Sequence, residues 1–407
     1  MQSTTLASAE CFIQWQSADA MHIDRQFFGK IDFWRDILPG DLREQLLDNG
    51  PGVSVKVDVT PGEQIPAVGA CAAHTMQRRA VRDAFRMRDL PGPFQGRFYP
   101  RGLLAGCNGL NDIFRQDLHP FRVTSIDKEC VTIDLNHPLA GHPLKVGATI
   151  DSFLGNREER GGHCSDIVAD IAEAGAGMQG RPDDGTVSFI HEQAFDRNDR
   201  SDDADFYRTP RLVHHIDAQA RSFINRIYRR FISADTQVLD LMSSWVSHLD
   251  GVPASVQVTG LGMNAAELGT NPHLAASLLH DLNQEPRLPF ADASFDTVIC
   301  SVSVEYLIRP FEVFSEVARV LKTGGHFIVT FSDRWFPPKT IRLWNELHPF
   351  ERMGLVLEYF RQTGHFSSLA TESYRGWLRP AEDKYYPQRY LADPIYVVWG
   401  QRAAFNQ

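Results

Sequence analysis

The chain has 407 residues, of which 43% are hydrophobic and 23% are charged. This length allows two or three domains, and this composition excludes a collagen-like, coiled-coil or wholly disordered protein. The formal net charge is -10, so charge alone gives no reason to expect a nucleic-acid partner. Residues 156–210 hold 13 acidic and 6 basic residues, so most of the excess charge lies in the middle of the chain.

Cysteine spacing and hydropathy indicate the compartment. The six cysteines are too far apart for a CxxC redox or zinc motif, and scattered cysteines are typical of reduced thiols in a cytosol. No apolar stretch approaches the roughly 18–20 residues that span a bilayer, and the first 20 residues lack the pattern of a secretory signal. We therefore expect a cytoplasmic protein without a metal site or a membrane partner. The cysteines are Cys11, Cys71, Cys107, Cys130, Cys164 and Cys300.

Composition divides the chain into four regions. They are a polar tail or segment of undetermined structure (1–30), a region of short β-type runs with much Gly and Pro (31–155), an acidic connector (156–210) and a region of alternating strand-like and helix-like segments (211–407). The connector contains one predicted helix over 165–174, and its run 196–205 lacks apolar periodicity, which favours a solvated loop. The alternation in the last region predicts a parallel α/β sheet.

Proline and glycine residues mark where predicted elements of the last region begin and end. A helix is predicted to begin at Pro310 and to end at Gly324-Gly325, because proline suits the first helical position and glycine the end. The helix-like stretch 340–360 carries apolar residues that suit either a lid over a substrate or plain packing. His214 and His215 lie on a predicted helix before the sheet, and Tyr207 is a candidate aromatic lid. The predicted strands cover 236–241, 255–262, 278–282, the end of 289–300, 326–331 and 393–399.

Three segments in this order carry a family resemblance. They are Val238-Leu-Asp-Leu241, Leu288-Pro-Phe with Ser294-Phe-Asp296, and Glu316-Val-Ala-Arg-Val-Leu-Lys-Thr-Gly-Gly325. Residues 236–332 resemble class I S-adenosylmethionine-dependent methyltransferases, of the type 11 group. The resemblance implies a Rossmann-like α/β domain with a mostly parallel seven-stranded sheet, and S-adenosylmethionine as the cofactor. The positions that it implies for cofactor binding are Asp240, Met242, Ser243, Ser244, Gly260, Asn264, Asp281, Leu282 and Ser301.

The chain departs from this family at the cofactor loop. Met242, Ser244 and Val246 stand where the family has glycines, which let the backbone approach a ligand closely. Gly262 stands where the family has an acid for the ribose hydroxyls, and Asn264 is the candidate substitute. Two hypotheses follow. In the first, the protein is a methyltransferase with a reshaped loop, in which the serines offer backbone N–H groups at a helix start. In the second, it has a related fold that no longer binds the cofactor.

Methyl transfer requires mainly that donor and acceptor are aligned, and sometimes a base for the acceptor. The family resemblance places reacting groups at the end of the fourth strand. The candidates for a base there are Glu305 and Tyr306. The acceptor, a small molecule or a protein, is not specified by the sequence.

The second region carries a different resemblance. A helix, glycine turn and strand over 37–62, a hairpin over 121–134, the segment Asn136-His-Pro-Leu-Ala-Gly141 and a strand over 144–153 follow in order. Together they resemble FKBP-type prolyl isomerases of the SlyD-like branch. This implies an α+β FKBP-like domain that binds peptides as a substrate-binding or chaperone module, or retains isomerase activity. The whole chain is then either a methyltransferase with such a domain or a non-catalytic scaffold.

Overall fold

The computed structural model describes residues 5–67, 73–88, 90–107, 110, 113–156, 162–182 and 187–404. The chain divides into two compact units. The first comprises Met1–His191 and Glu346–Gly354, and the second comprises Glu192–Asn345 and Leu355–Gln407. The boundary between the two units, at His191 and Glu192, falls inside the segment 156–210 that the sequence predicts as an acidic connector.

The first unit contains two antiparallel sheets. Its elements are β1 (Thr5–Gln16), β2 (Ala20–Asp32), α1 (Leu42–Asn49), β3 (Ser54–Val59), β4 (Ala73–Gln77), α2 (Arg78–Arg86), β5 (Phe98–Pro100), a 3-10 helix (Arg101–Leu104), β6 (Pro120–Ile126), β7 (Cys130–Asp134), β8 (Leu144–Asn156) and α3 (Ile167–Glu173). The strand orders are β2-β1-β8-β3 and β4-β7-β6-β5. The predicted α1, β3, β6–β7 hairpin, β8 and α3 are present.

Residues 5–30 differ from the predicted polar tail, because they form β1 and most of β2. The two strands pair antiparallel, with Ile13 opposite Asp24. Cys11 and Ile13 are fully buried. The buried carboxylate of Asp24 accepts a hydrogen bond of 3.1 Å from the Trp15 indole N–H. The polar residues that suggested a tail are thus satisfied within the fold.

The second unit is built on a seven-stranded sheet. Its elements are α4 (Asp203–Phe206), α5 (Ala218–Tyr228), β9 (Gln237–Leu241), β10 (Gln257–Gly262), α6 (Ala265–Thr270), β11 (Ala276–Leu279), β12 (Phe295–Ser301), a 3-10 helix (Val304–Tyr306), α7 (Pro310–Val320), β13 (Leu321–Phe331), α8 (Arg342–Glu346, the last residue in the first unit), α9 (Pro349–Thr363, shared with the first unit), β14 (Phe366–Arg375) and β15 (Ile395–Arg402). The strand order is β11-β10-β9-β12-β13-β15-β14. β9 to β13 are parallel, whereas β15 is antiparallel to both of its neighbours.

This mixed sheet has its switch of strand order between β9 and β12. Successive connections leave this point in opposite directions, which opens a crevice at the carboxyl ends of the two strands. The core beneath is apolar: Val238 of β9 and Ile299 of β12 pack with Ile224 and Ile227 of α5. The fold therefore places its best ligand site above Asp240, near the end of β9.

Five local features differ from the sequence predictions. No helix follows β9, since residues 242–256 are irregular. His214 and His215 lie in an irregular segment that ends before α5. α7 passes directly into β13, so that Gly324 and Gly325 belong to the strand. The last two differences concern β14, which the sequence analysis missed, and the stretch 340–360, which forms parts of two helices.

Candidate functional site

A cavity of about 550 Å³ opens at the carboxyl ends of the parallel strands of the second unit. This size is within the usual range for small-molecule sites. Most of the residues implied by the family resemblance line it: Asp240, Met242, Ser243, Ser244, Asn264, Asp281, Leu282 and Ser301. Tyr207, His214, His215 and Tyr306 line it as well, whereas Gly260 and Glu305 are not among the lining residues.

Asp240 is the most buried acid of the cavity wall. One carboxylate oxygen accepts hydrogen bonds of 2.6 Å from the hydroxyls of Ser243 and Ser247. Burial disfavours the charged form and raises the pKa of Asp240 to about 6, although the two hydroxyls act in the opposite direction. Asp240 therefore remains largely ionised at neutral pH and gains a proton in mild acid.

The loop after β9 is held by side chains instead of by a helix. Met242 adopts a left-handed backbone with a φ of 58°, a conformation that favours glycine. The Ser243 N–H donates to Leu261 O over 2.7 Å, and the Ser244 hydroxyl donates to a Glu267 carboxylate oxygen over 2.7 Å. The prediction that Ser243 offers its N–H at a helix start is therefore wrong. This N–H instead joins the loop to β10.

Trp245 forms part of the cavity wall and leaves the space open. Its indole N–H donates to Val213 O over 3.3 Å. Its ring lies 4.5 Å from the His214 ring, centroid to centroid. These contacts hold Trp245 against the irregular segment before α5.

Close packing explains why an acid cannot stand at the end of β10. A Cβ atom on Gly262 would lie 2.2 Å from Ser243 O, far inside contact distance. Asn264 is also fully engaged. Its amide oxygen accepts from two N–H groups of α6, and its amide nitrogen donates to Tyr207 O and Arg208 O. Asn264 thus positions Tyr207 at the cavity and has no amide hydrogen left for a ribose.

Glu267, in the first turn of α6, is a lining residue that sequence reasoning missed. One of its carboxylate oxygens accepts from the Arg211 backbone N–H over 2.7 Å, and the other accepts from Ser244. A carboxylate has about four acceptor positions, so further donors can be bound. The available signal was an acid five residues after Gly262, at the start of a helix.

Asp281 presents an unused acceptor. Its Oδ1 accepts from the backbone N–H groups of Asn283 and Gln284. Its Oδ2 is buried and has no hydrogen-bond partner in the described part of the chain. Because a buried acceptor without a partner is costly, this oxygen suits a ligand N–H or O–H donor.

The two predicted bases are poorly placed for that role. Glu305 is fully buried and does not line the cavity. The Tyr306 hydroxyl lines it but accepts a hydrogen bond of 2.8 Å from the Phe336 N–H. Burial, with a contribution from Glu305, raises the pKa of Tyr306 well above its ordinary value. Tyr306 therefore keeps its proton at neutral pH, so that it can donate a hydrogen bond to a ligand but does not serve as a base.

The acidic run 196–205 is largely exposed, as predicted for a solvated loop, but its Asp203 is buried and paired. Lys339 is fully buried and its Nζ lies 3.2 Å from Asp199 and 3.1 Å from Asp203. Asp203 also forms an ion pair of 2.8 Å with Arg197. Hydrogen bonds from Ser201, assisted by Lys339, lower the pKa of Asp199 to about 2. These contacts fix the segment that carries Tyr207 to the cavity.

Two residues of the cavity wall have a strained backbone. Val302, directly after β12, has a φ of 49°. A β-branched residue rarely adopts this conformation, and the cost is on the order of 1–3 kcal/mol. Val302 and Met242 both line the cavity. Such strain clusters at ligand sites because the surrounding structure must hold it in place.

Other predicted features concern metals, membranes and thiols. Among the described residues, no group of three or more His, Cys, Asp or Glu side chains is arranged to hold a metal ion. No helix in the described ranges combines the length and apolarity needed to cross a bilayer. Cys11 and Cys300 are buried free thiols, and Cys164 is exposed. Cys71 lies outside the described residues.

Comparisons with known proteins match the second unit. A family model described as a methyltransferase domain matches residues 249–329. A malonyl-[acyl-carrier protein] O-methyltransferase from Marinomonas sp. (strain MWYL1) is 31% identical over 58 residues, which are 14% of this chain and 22% of the relative. A ubiquinone/menaquinone biosynthesis C-methyltransferase from Geotalea daltonii is 30% identical over 83 residues, 19% of this chain and 35% of the relative.

Two solved structures are similar to about half of the chain at low sequence identity. The YcgJ protein of Bacillus subtilis is 14% identical, with 47% of this chain and 100% of that chain covered and a TM-score of 0.34. A SAM-dependent methyltransferase from Aquifex aeolicus is 14% identical, with 46% and 95% covered and a TM-score of 0.32.

The family match and the strand order agree on the second unit. Residues 249–329 match a methyltransferase-domain model, and the parallel strands around them have a Rossmann-like order. The matched segment begins at Leu249, after the loop that carries Met242 and Ser244. The chain spans about a fifth and about a third of the length of the two curated relatives. None of these comparisons supports the predicted FKBP-like nature of the first unit.

Proposed function

We propose that the second unit binds S-adenosylmethionine in its cavity and transfers the methyl group to an acceptor bound beside it. One observation carries this proposal: an open cavity at the switch of strand order presents the buried, unpartnered Oδ2 of Asp281. An adenine amino group supplies the donor that this oxygen lacks. The domain match at residues 249–329 supports the same cofactor.

The residues present fit the cofactor in a way that differs from the family pattern. Glu267 takes the place of the missing ribose acid, since its carboxylate lines the cavity and Gly262 leaves no room for a side chain. Asp240, ionised at neutral pH, offers a negative charge to the cationic end of the cofactor. When bound, S-adenosylmethionine supplies a methyl group on a positively charged sulfur. The chain itself contributes alignment and exclusion of water.

Isothermal titration of the full-length protein with S-adenosylmethionine and S-adenosylhomocysteine tests this proposal. We expect binding of both, because they share the adenosine. Asp281→Asn and Glu267→Gln should each weaken binding by about 5- to 150-fold, the equivalent of about 1–3 kcal/mol for a lost hydrogen bond to a charged group. Asp250→Asn, an exposed carboxylate away from the cavity, is the matched control and should bind as wild type. No heat at millimolar cofactor would leave the scaffold hypothesis as the better account.

For the first unit we propose peptide binding, on narrower grounds. The support is the resemblance of Asn136-His-Pro-Leu-Ala-Gly141 and its flanking elements to SlyD-like prolyl isomerases. An isomerisation assay with a prolyl peptide and the full-length protein separates binding from catalysis. A rate equal to the uncatalysed one, with peptide binding retained, would assign this unit a docking role only.

A further inference from the structure

The cavity has two halves that differ in chemistry. The strand order places the ends of β11, β10 and β9 on one side of the switch and those of β12 and β13 on the other. At about 4.8 Å between neighbouring strands, the five strand ends span about 19 Å. The candidate cofactor residues Asp240, Glu267 and Asp281 belong to the first side. The other side, reached from β12 and β13, remains for the acceptor.

The Arg211 side chain packs among aromatic rings beside this second half, while its backbone N–H binds Glu267 of the first half. Its guanidinium lies 4.6 Å from the ring centroid of Phe206, 5.8 Å from that of Tyr207 and 5.3 Å from that of Phe336. One guanidinium nitrogen donates to Phe206 O over 3.0 Å. None of the described carboxylates forms an ion pair with Arg211. An arginine has five N–H donors, so most of them remain for another acceptor.

Arg334 lies in the segment after β13 and lines the same half. Its guanidinium lies 4.7 Å from the ring centroid of Tyr385, and the Lys384 Nζ lies 5.0 Å from that centroid. No ion pair joins Arg334 to a carboxylate of the described chain. Asp333, its neighbour in the sequence, is an exposed acid on the same wall. The guanidinium of Arg334 is therefore a second cation available to a ligand.

The pKa of His215 depends on the charged groups around this half. Its ring lies 5.0 Å from the Phe336 ring centroid. Burial lowers its pKa, and the positive charges of Arg211, Lys384 and Arg334 lower it further, whereas Glu267 opposes them. Asp203, whose charge helps to raise the pKa of Tyr207, is paired with Arg197 and Lys339. The positive charges that act on His215 thus outnumber the negative ones, although the buried Glu305 and the exposed Asp333 add negative charge to this half.

We propose that this half of the cavity binds an acceptor in which a carboxylate or phosphate group is attached to an aromatic or similarly flat apolar body. The inference rests on the proposed function, since a bound methyl donor is what makes this half the acceptor site. The planar arginine fork matches an oxyanion with two parallel hydrogen bonds. The faces of Tyr207 and Phe336 match a flat body.

The test measures binding of small probes to the full-length protein by isothermal titration, with and without saturating S-adenosylhomocysteine. The probes are benzoate, phenyl phosphate and the neutral benzamide. We expect at least one acid to bind ten times or more tightly than benzamide. Arg211→Gln and Arg334→Gln should each weaken acid binding about 10- to 100-fold and change S-adenosylhomocysteine affinity less than twofold. Benzoate and phenyl phosphate as separate arms identify the preferred oxyanion.

Two further variants serve as controls for this test. Arg229→Gln, at the exposed end of α5 and outside the cavity lining, should bind every probe as wild type. Arg334→Lys should recover part of the acid binding, because charge remains while the fork is lost. Circular dichroism and thermal melting confirm that each variant folds.

Two outcomes would overturn the inference. In the first, the acids bind no better than benzamide to the wild-type protein. In the second, Arg211→Gln and Arg334→Gln weaken S-adenosylhomocysteine as much as benzoate, which would assign both arginines to the cofactor. If S-adenosylhomocysteine itself fails to bind, the proposed function fails, and the preference of the unloaded protein for acid over amide still decides whether the oxyanion site exists.

Discussion

Asp240 combines two opposing influences in one carboxyl group. Two serine hydroxyls stabilise its charge, yet burial costs more, so that its pKa rises from 3.8 to about 6. The folded state therefore binds the proton more tightly than the unfolded chain. Stability from this group is complete below pH 4 and is lost as the pH rises through 6. Acidic conditions thus favour the fold at this residue but remove the charge that we assign to cofactor binding.

Asp240→Asn should remove this pH dependence. The shift of the pKa corresponds to about 3 kcal/mol in the free energy of unfolding between pH 4 and pH 7. We therefore expect the difference in unfolding free energy between Asp240→Asn and wild type to move by about this amount in favour of the variant as the pH rises. Urea denaturation at several pH values measures it. A difference that stays constant from pH 4 to pH 7 would contradict the assignment.

Gly262 offers a second test at the scale of one atom. A Cβ there would lie 2.2 Å from Ser243 O, whereas a Cβ on Gly269 of α6 meets nothing within 4 Å. We expect Gly262→Ala to lower the unfolding free energy by about 1–3 kcal/mol through overpacking. Gly269→Ala should leave it unchanged or raise it by up to about 1 kcal/mol, since alanine favours the helix. Equal effects of the two substitutions in thermal unfolding would contradict this expectation. They would show that the loop after β9 shifts enough to make room for a side chain on Gly262.

Sequence reasoning found some of these residues and not others, for a physical reason. Asp240 and Asp281 stand at fixed places relative to predicted strands, so a family resemblance locates them. Glu267 and Asp203 act through contacts with residues distant in the sequence, such as Arg211 and Lys339. Their surroundings in the sequence suggest only a solvated helix start and an acidic loop.

At the scale of elements, the segment 197–207 shows how an acidic run becomes a cavity wall. Lys339 is fully buried against Asp199 and Asp203, and its Nζ also donates to Ser201 O over 2.7 Å. Arg197 adds a second cation to Asp203. The acidic surplus of this part of the chain is thus partly internal, where it orders a segment that has few apolar residues of its own.

Lys339→Met should destabilise this wall. It leaves Asp203 and Asp199 with less compensation, at an expected cost of about 3–5 kcal/mol in unfolding free energy. Lys322→Met, which breaks the partly exposed pair with Asp296, is the matched control and should cost less than about 1 kcal/mol. Chemical denaturation of the two variants compares them. Similar losses would show that burial of Lys339 contributes nothing beyond an ordinary surface pair.

The strands of the second unit were predictable to different degrees. β9, β12 and β15 are apolar and β-branched, so their local pattern indicates buried strands. β14 carries Ser, Thr and Glu, although Leu369 to Tyr374 are all buried. Glu372 in this strand is paired with Arg230 at 2.7 Å. A strand whose polar groups are satisfied by distant partners gives no local apolar signal.

At the scale of the whole molecule, the first unit is built from two separate stretches of chain. Arg97 and Glu351 form a buried ion pair of 3.2 Å within it. The Glu351 carboxylate also accepts from the Phe98 N–H over 3.0 Å, and Arg97 donates to Glu346 O. Residues 346–354 are therefore an integral part of this unit, a connection that no local sequence pattern reveals.

A cut between His191 and Glu192 should therefore leave the two fragments associated. With a protease site inserted there, we expect both pieces to elute together in size-exclusion chromatography, because residues 346–354 remain packed in the first unit. Adding Glu351→Ala should weaken the association, since Arg97 then lacks its buried partner, at a cost of about 3–5 kcal/mol. Separate elution of the cut protein without that substitution would contradict this view. The uncut protein with the same insertion is the control.

The position of Glu351 also sets an order of events during synthesis. A ribosome must add 163 residues after His191 before Gly354 exists. At about 5–20 residues per second this takes about 8–33 s. Until then, the nascent first unit holds Arg97 without the carboxylate that balances it. The first unit is therefore completed only after strands β9 to β13 have been synthesised. Its buried carboxylate Glu351 is translated later than almost all the rest of that unit.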